Sequence, residues 1–538
     1  MVFARRSTTL LAAIIASCAM VLSLTACTSD NKTVVDGQTT VTSNSAGGVA
    51  VFTPSDGITL NQQTPLNKWA KLVPDLAKAL ADAGFKKGDI DHTTSDSLAK
   101  QSRAIQDFVV DHLSNNTTDD SGIAIAPDNM TLLVAPVVEA DASTRQYGDY
   151  VSQNLSTNDV TDGEATSDGE SSEDDSSNTE SDSTASDEQA QAVDRLVSSL
   201  KLAKESGMHV VLLGNSIEGY KPDAFVKFSD AQTIGKLQAE KMVSKLKLDK
   251  ASKDNPKYIE VLLPYTAMDE KGNANDSTFA QEAFRGIWQV LGSYYQKGVV
   301  ESPSGTLDGK STENDWQAVA YDAAKEGSTA KVLDKRLAKT DGQSTLTRID
   351  GIITMNDYIA SEVVKELDDL GYTGSAADIN PQITISGIVG NITGKKDLSR
   401  DAVPDPIKSP ENDNANDSSS SDDDADEDTS ASDKDRDSQW PLVTGYGAYV
   451  SNIPSIVNGK QWMTGMEDRQ TIATDIAQAC AKLNKDEALN SMPSIRNSEV
   501  GGVKKIPTIS EPLLAVSASN LKSALIDPGY ISLADAGL

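Results

Sequence analysis

An α/β fold of two similar lobes, each built on a parallel sheet covered on both faces, follows from three features of the sequence. Strand-like and helix-like runs alternate, the strand-like runs are continuously apolar, and the rhythm is played through twice. With 538 residues the chain also exceeds what one small core can hold, so two or more globular units are expected.

The elements follow in order. "GVAVFTP" (48–54) reads as a strand, "LNKWAKLVPDLAKALADAGF" as a helix ending near Gly84, and "SLAKQSRAIQDFVVDHL" as a second helix. "MTLLVAPVV" (130–138) is a strand, "AVDRLVSSLKLAKESG" a helix closed by Gly207, and "MHVVLLG" a strand. "DAFVKFSD" is another strand, and "AQTIGKLQAEKMVSKLKL" a long helix. The second round comprises "KYIEVLLPY", "TFAQEAFRGIWQVLGSYY", "WQAVAYDAAKEG", "IDGIITMND", "ASEVVKELDDLG" and "QITISGIVG".

The formal net charge of −32 is unevenly spread. Residues 159–190 hold 12 Asp/Glu and no Lys/Arg, and residues 401–438 hold 14 Asp/Glu against 3 Lys/Arg. Such segments bury too little apolar surface to order themselves. Both read as disordered surface inserts, at about 155–190 and 401–438, because the α/β rhythm resumes after each. "SDDDADEDTS" lacks the spaced acids and turn glycine of an ordered calcium loop, so no metal is expected there. Nucleic acid is not an expected partner, since no Lys/Arg cluster offers itself to phosphate.

The amino terminus reads as an export signal: Arg5 and Arg6, the apolar run "TLLAAIIASCAMVLSL", then "LTAC" ending at Cys27. The run is short for a membrane span. "LTAC" resembles the bacterial lipobox, in which the Cys becomes the lipid-bearing first residue, carrying palmitate; the alternative is an ordinary signal peptide with a chance Cys. Residues 28–47 then form a flexible tether, and the expected location is the extracytoplasmic face of the cell membrane. Cys480, in "ATDIAQACAKL", reads as a small apolar residue on a helix face, and no disulfide framework is expected.

Enzyme signals are poor. There is no G-x-S-x-G, no H-E-x-x-H, no P-loop and no G-x-G-x-x-G after a strand, and the three His are His92, His112 and His209. S-x-x-K occurs at Ser97–Lys100 and Ser198–Lys201 within helical surface patterns, without companion motifs. No catalytic residue and no cofactor is therefore expected. Polar and aromatic residues instead follow the strands: Lys68 and Trp69 after the first, then Glu139, Asn215, Asp230, Asn275, and the pair Asn356-Asp357. In open α/β sheets the carboxyl ends of strands line the ligand crevice. Amides, carboxylates and a ring suit a neutral polyol or sugar, whose hydroxyls donate and accept and whose C–H faces stack on aromatics. Taken singly, each residue is equally consistent with a helix cap. Asn356 is expected to face ligand, and Asp357 to cap the helix after it.

The order of segments resembles the type I periplasmic sugar-binding proteins, the substrate-binding lipoproteins of bacterial ABC transporters, and most nearly their xylose-binding group. The resemblance runs from about Gly48 to Leu538 apart from the acidic inserts. It rests on "KFSDAQTIGKLQAEKMV", "RIDGIITMNDYIASEVVKELDDLGY", "VNGKQWMTGMEDRQTIATDIAQA" and the tail "EPLLAVSASNLKSALIDPGY". It implies two Rossmann-like lobes joined by a three-crossover hinge, with a first lobe over 48–229, a second over 230–460, a return to the first over 461–505, and a final crossover and tail over 506–538. It implies a monomer that traps a small ligand between the lobes and presents it to an ABC permease. The ligand contacts it implies are Lys68, Trp69, Asp230, Asn275, Gln281, Asn356 and Gln461. The chain departs from the family pattern where Gly214-Asn215 replaces an Asp-Arg pair, where Ala231 replaces an Asn, and where Val389 replaces an Asp, Asn391 being the nearest substitute. Those departures keep open a second reading, a surface sensor of the same fold that signals to a membrane receptor.

Overall fold

A computed structural model describes residues 46–55, 65–115, 126–138, 142–150, 152–156, 180–268, 275–323, 325–338, 346–376 and 438–538. Cys27, the tether up to residue 45, Glu139, Val389, Asn391, and the acidic insert expected at 401–438 lie outside them, except for Ser438.

The first half contains β1 (Gly48–Pro54), α1 (Trp69–Asp82), β2 (Ile90–Ser95), α2 (Leu98–Asn115), β3 (Met130–Val134), α3 (Ala142–Arg145), β4 (Asn154–Leu155), α4 (Glu180–Glu205), β5 (His209–Leu213), β6 (Ser216–Ile217) and β7 (Ala224–Lys227). There follow α5 (Ala231–Leu246), β8 (Lys257–Val261), β9 (Leu263–Pro264), α6 (Thr278–Gln296), β10 (Val300–Glu301), α7 (Trp316–Val319), β11 (Ala320–Tyr321), α8 (Ser328–Arg336), β12 (Gly351–Ile353), α9 (Asp357–Leu370) and β13 (Leu442–Val443). The chain ends with α10 (Ile453–Val457), β14 (Met463–Met466), α11 (Arg469–Leu483), β15 (Ile495–Val500), β16 (Val503–Ser510) and β17 (Leu514–Ser517).

Two sheets carry the architecture. The first has seven strands in the order β15-β16-β7-β5-β3-β1-β2, parallel except for the β15–β16 hairpin. The second has four parallel strands in the order β10-β8-β12-β13. The chain crosses between them after β7, after β14 and after β16, so the two lobes and three crossovers implied by the resemblance are observed. The hinge itself is an antiparallel pair, Met463–Met466 on Leu514–Ser517.

The continuously apolar strands are explained by helices on both faces. Val49, Val51, Leu133, Val211 and Val226 point to the face covered by α1 and α11, while Ala50, Phe52, Leu132, Val210 and Leu212 point to the face covered by α2 and α4. Cys480 packs fully buried within the first of these layers, and burial pushes its thiol pKa up. In the second lobe α5 crosses α6 at a pair of glycines: a Cβ on Gly235 would sit 2.2 Å from the Ala283 carbonyl oxygen, and one on Gly286 2.0 Å from that of Gln232. Only hydrogen side chains permit that backbone approach.

Three differences from the sequence reading stand out. Helix α4 begins at Glu180, inside the segment read as a disordered acidic insert and twelve residues before the apolar pattern starts at Ala192, so the helix is propagated outward from its packed C-terminal part. β2 is an unanticipated edge strand, IDHTTS, with mostly exposed side chains and hence no apolar signal. β16 keeps the chain in the first sheet to Ser510, past the boundary expected at 505, and with β15 forms a hairpin whose many polar residues hid it. Both lobes and the hinge lie within one unit, Ser45–Leu538. Among the described residues no helix is long and apolar enough to cross a membrane.

Candidate binding cleft

The strand order of the first sheet reverses beside β1, whose neighbours are β2 and β3. Lys68 and Trp69 sit where β1's connection enters α1. Lys68 Nζ pairs with Asp149 Oδ1 at 2.9 Å, and the Trp69 backbone N–H donates to Asp149 Oδ2 at 3.1 Å. The Trp69 ring is buried, with its edge against Tyr150 (5.1 Å between centroids) and Phe228 (5.7 Å). Tyr150 stacks on Phe228 at 4.8 Å and donates its hydroxyl to the Lys68 carbonyl. Asn215, also buried, accepts from the Gln153 N–H at 3.0 Å and donates to the Pro136 carbonyl at 2.9 Å.

In the second lobe β12 ends at Ile353, and Met355 adopts the left-handed conformation (φ 67), an uncommon one for a residue with a side chain. At this turn Asn356, not Asp357, becomes the helix cap: its Oδ1 accepts the Ile359 N–H at 2.9 Å. Its Nδ2 reaches across to Gln146 Oε1 of the first lobe at 3.2 Å. Asp357 is helical and fully buried, and grips the hinge: Oδ2 accepts the Tyr449 N–H and the Thr464 hydroxyl, both at 2.9 Å, and Oδ1 accepts Gln461 Nε2 at 2.7 Å. Burial pushes its pKa up to about 6 against the opposing pull of these donors.

Gln461 thus belongs to the hinge, where its Oε1 also accepts from Asn452 at 2.8 Å. Asp230 caps α5, accepting the Thr233 N–H at 2.7 Å, and pairs with Lys227 at 2.8 Å. Asn275 Nδ2 donates to the Thr266 carbonyl at 2.8 Å and Gln281 Nε2 to the Ser277 hydroxyl at 2.7 Å, both local bonds. The structure therefore gives Lys68, Trp69, Asn215 and Asn356 a shared neighbour, the stretch that carries Gln146, Asp149 and Gln153. Asp230, Asn275, Gln281 and Gln461 have their polar groups engaged elsewhere.

Sequence reasoning missed that neighbour, the stretch "RQYGDYVSQN" (145–154). Tyr147, 1% exposed, packs on Phe279 (4.7 Å) and Tyr446 (6.3 Å) of the second lobe, and Tyr449 donates its hydroxyl to the Gln146 carbonyl at 2.7 Å. Gly148 (φ 95) passes so close to α1's approach that a Cβ would lie 2.7 Å from the Asn67 carbonyl oxygen. The available signal was two tyrosines in a stretch with neither helical nor strand periodicity, an unusual place for large rings unless they are buried.

A second missed residue is Glu467, at the second crossover. Its Oε1 accepts from the Ser229 N–H at 2.6 Å, from the Ser229 hydroxyl, and from Tyr446 Oη at 3.5 Å, tying the first and second crossovers together. Burial pushes its pKa up to about 7.

No protein-family model matches the chain, and no curated protein does. Among solved structures, an ABC transporter solute-binding protein from Clostridium phytofermentans with bound β-D-glucose is 17% identical, with 91% of this chain and 99% of that chain covered and a TM-score of 0.45. A carbohydrate transporter solute-binding protein from Chloroflexus aurantiacus, in complex with D-glucose, is 18% identical over 91% and 98% of the two chains, with a TM-score of 0.44. A periplasmic ribose ABC transporter protein from Conexibacter woesei is 14% identical over 90% and 96%, with a TM-score of 0.43. At these identities no residue role passes from one chain to the other.

Proposed function

We propose that this protein is a lipid-anchored, extracytoplasmic solute-binding protein that captures a small polar ligand, a sugar, between its lobes and delivers it to an ABC importer in the membrane. The observation that supports the reading is architectural: two parallel sheets joined by three crossovers, with residues that follow strands of both sheets, Asn215 and Asn356, bonded to the one stretch 146–153. The export signal, Cys27 in "LTAC" and the polar tether support the anchored, extracytoplasmic placement. Lys68, Trp69 and Asn215 from one lobe and Asn356 from the other are the groups that would meet ligand, with Glu139 and Asn391 beside them in the sequence pattern; no catalytic chemistry is assigned.

The mechanism is a shift of population. A ligand that touches both lobes gains its full contact only when the hinge is shut, so it favours the closed form by its difference in affinity for the two states. The Gly214-Asn215 departure, at a position where Asn215 is spent on the protein's own backbone, favours as a second reading a sensor of the same fold.

A thermal-shift screen of the chain from Thr28 onward against mono- and oligosaccharides, polyols and nucleosides tests the proposal. A ligand held 100-fold above its dissociation constant stabilises the native state by about 2.7 kcal/mol, a readily seen rise in Tm. One sugar is expected to give it. Silence across the panel would remove sugar capture and leave the sensor reading.

A further inference from the structure

The groups best placed to hold a ligand are already held by the chain itself. A loop between β3 and α4, residues 146–150 and 152–153, lies over the carboxyl ends of the first lobe's strands. It supplies each of Lys68, Trp69 and Asn215 with a partner from within the chain. Asp149 gives Lys68 a carboxylate at 2.9 Å and takes the Trp69 N–H at 3.1 Å. Tyr150 lies against the Trp69 ring, and Gln153 donates its N–H to Asn215 at 3.0 Å.

The same loop reaches the opposite lobe. Gln146 takes Asn356 Nδ2 at 3.2 Å through its side chain and the Tyr449 hydroxyl at 2.7 Å through its carbonyl, and Tyr147 packs its ring between Phe279 and Tyr446. Contact with both lobes is what a closing ligand achieves. A tethered segment achieves it at high effective concentration.

We propose that this loop is a built-in competitor: a strap that occupies the cleft and holds the lobes shut without ligand, so that an external ligand binds by displacing it. The inference rests on the reading of the cleft as the ligand site. The strap lowers the apparent affinity of every external ligand by the fraction of molecules in which it is out. Displacement is an exchange of partners: the Lys68–Asp149 pair, 16% and 20% exposed, and the Tyr147 and Tyr150 rings, each 1% exposed, give up their contacts as the ligand makes its own.

Two variants of the full chain test this, each measured in two ways: the ligand-free radius of gyration by small-angle scattering, and D-glucose, D-ribose and D-xylose affinity by calorimetry. Asp149→Lys sets like charges against each other at the strap's polar anchor while leaving its two rings in place. Tyr147→Ala/Tyr150→Ala removes its two rings. Either is expected to expand the ligand-free protein and to raise sugar affinity about tenfold or more over wild type. The charge swap Lys68→Asp/Asp149→Lys is expected to restore compactness, which a general loss of packing would not allow. Expansion without sugar binding supports the strap and counts against sugar as the ligand. A folded Asp149→Lys protein as compact as wild type, with unchanged or weaker affinity for every sugar that wild type binds, overturns the proposal.

Discussion

Asp357 in the hinge and Asp149 in the strap are both acids that fasten parts of the closed molecule, yet their surroundings differ sharply. Asp357 is fully buried and receives three hydrogen bonds from Tyr449, Thr464 and Gln461. Asp149 is one-fifth exposed and bonds to a lysine ammonium and a backbone N–H. A desolvated acid with several dedicated donors is costly to disturb, because its loss strands every donor away from water. A part-buried pair with a solvated edge is less costly to exchange, because water or a ligand hydroxyl can reach either partner as it opens. The comparison teaches that the hinge is built to persist and the strap to yield.

Three substitutions sharpen or break that contrast. Asp357→Ala leaves the Tyr449 N–H, the Thr464 hydroxyl and the Gln461 amide without their acceptor, and is expected to cost about 3–5 kcal/mol in denaturant unfolding. A cost below about 1 kcal/mol would mean that the hinge gives as easily as the strap.

The next effect in size depends on pH. The native pKa values of Asp357 and Glu467 are raised to about 6 and about 7 by burial, so between pH 4 and 7 the native state binds more protons than the unfolded chain. The stability these groups lend is full at the acid end and is lost as pH rises through 6 and then 7. Glu467→Gln is expected to flatten that decline, stabilising the protein by about 1–3 kcal/mol at pH 8 and hardly at all at pH 5. Parallel stability–pH curves for wild type and variant would show that Glu467 stays ionised in the hinge.

The smallest effect belongs to the strap. Lys68→Ala is expected to cost about 1 kcal/mol, because Asp149 keeps the Trp69 N–H and a solvated edge, and somewhat less at 1 M salt. A large, salt-insensitive loss would place this pair with the hinge acids.

Much of the fold was legible because it depends on local pattern. "VVLL" in β5 and "GII" in β12 are apolar without alternation since helices cover both faces of their sheets, and Gly207 and Gly371 end helices where positive φ is needed (98 and 91). The strands that escaped, β2, β15 and β16, are interrupted by polar residues and so carry no apolar signature; β2 and β15 are the sheet's two edges, and β16 lies just inside β15.

The cleft was legible only as a set of positions. Lys68, Trp69, Asn215 and Asn356 could be named because they follow strands, but not their partners, since the bonds of Asn215 and Asn356 to the strap span 62 and 210 residues. Adjacent Asn356 and Asp357 are alike in sequence as cap candidates. The choice between them was made by the turn at Met355 and by the donors of Tyr449, Gln461 and Thr464, 92 to 107 residues away.

By itself, then, the sequence determined the α/β class, the two lobes and the strand ends where a site belongs, because periodicity and capping act over a few residues. Tertiary structure alone decided that Asp357 holds the hinge, that Glu467 joins two crossovers, and that residues 146–153 include the strap filling the cleft. Burial, and with it the meaning of a polar side chain, exists only once distant segments have closed around it.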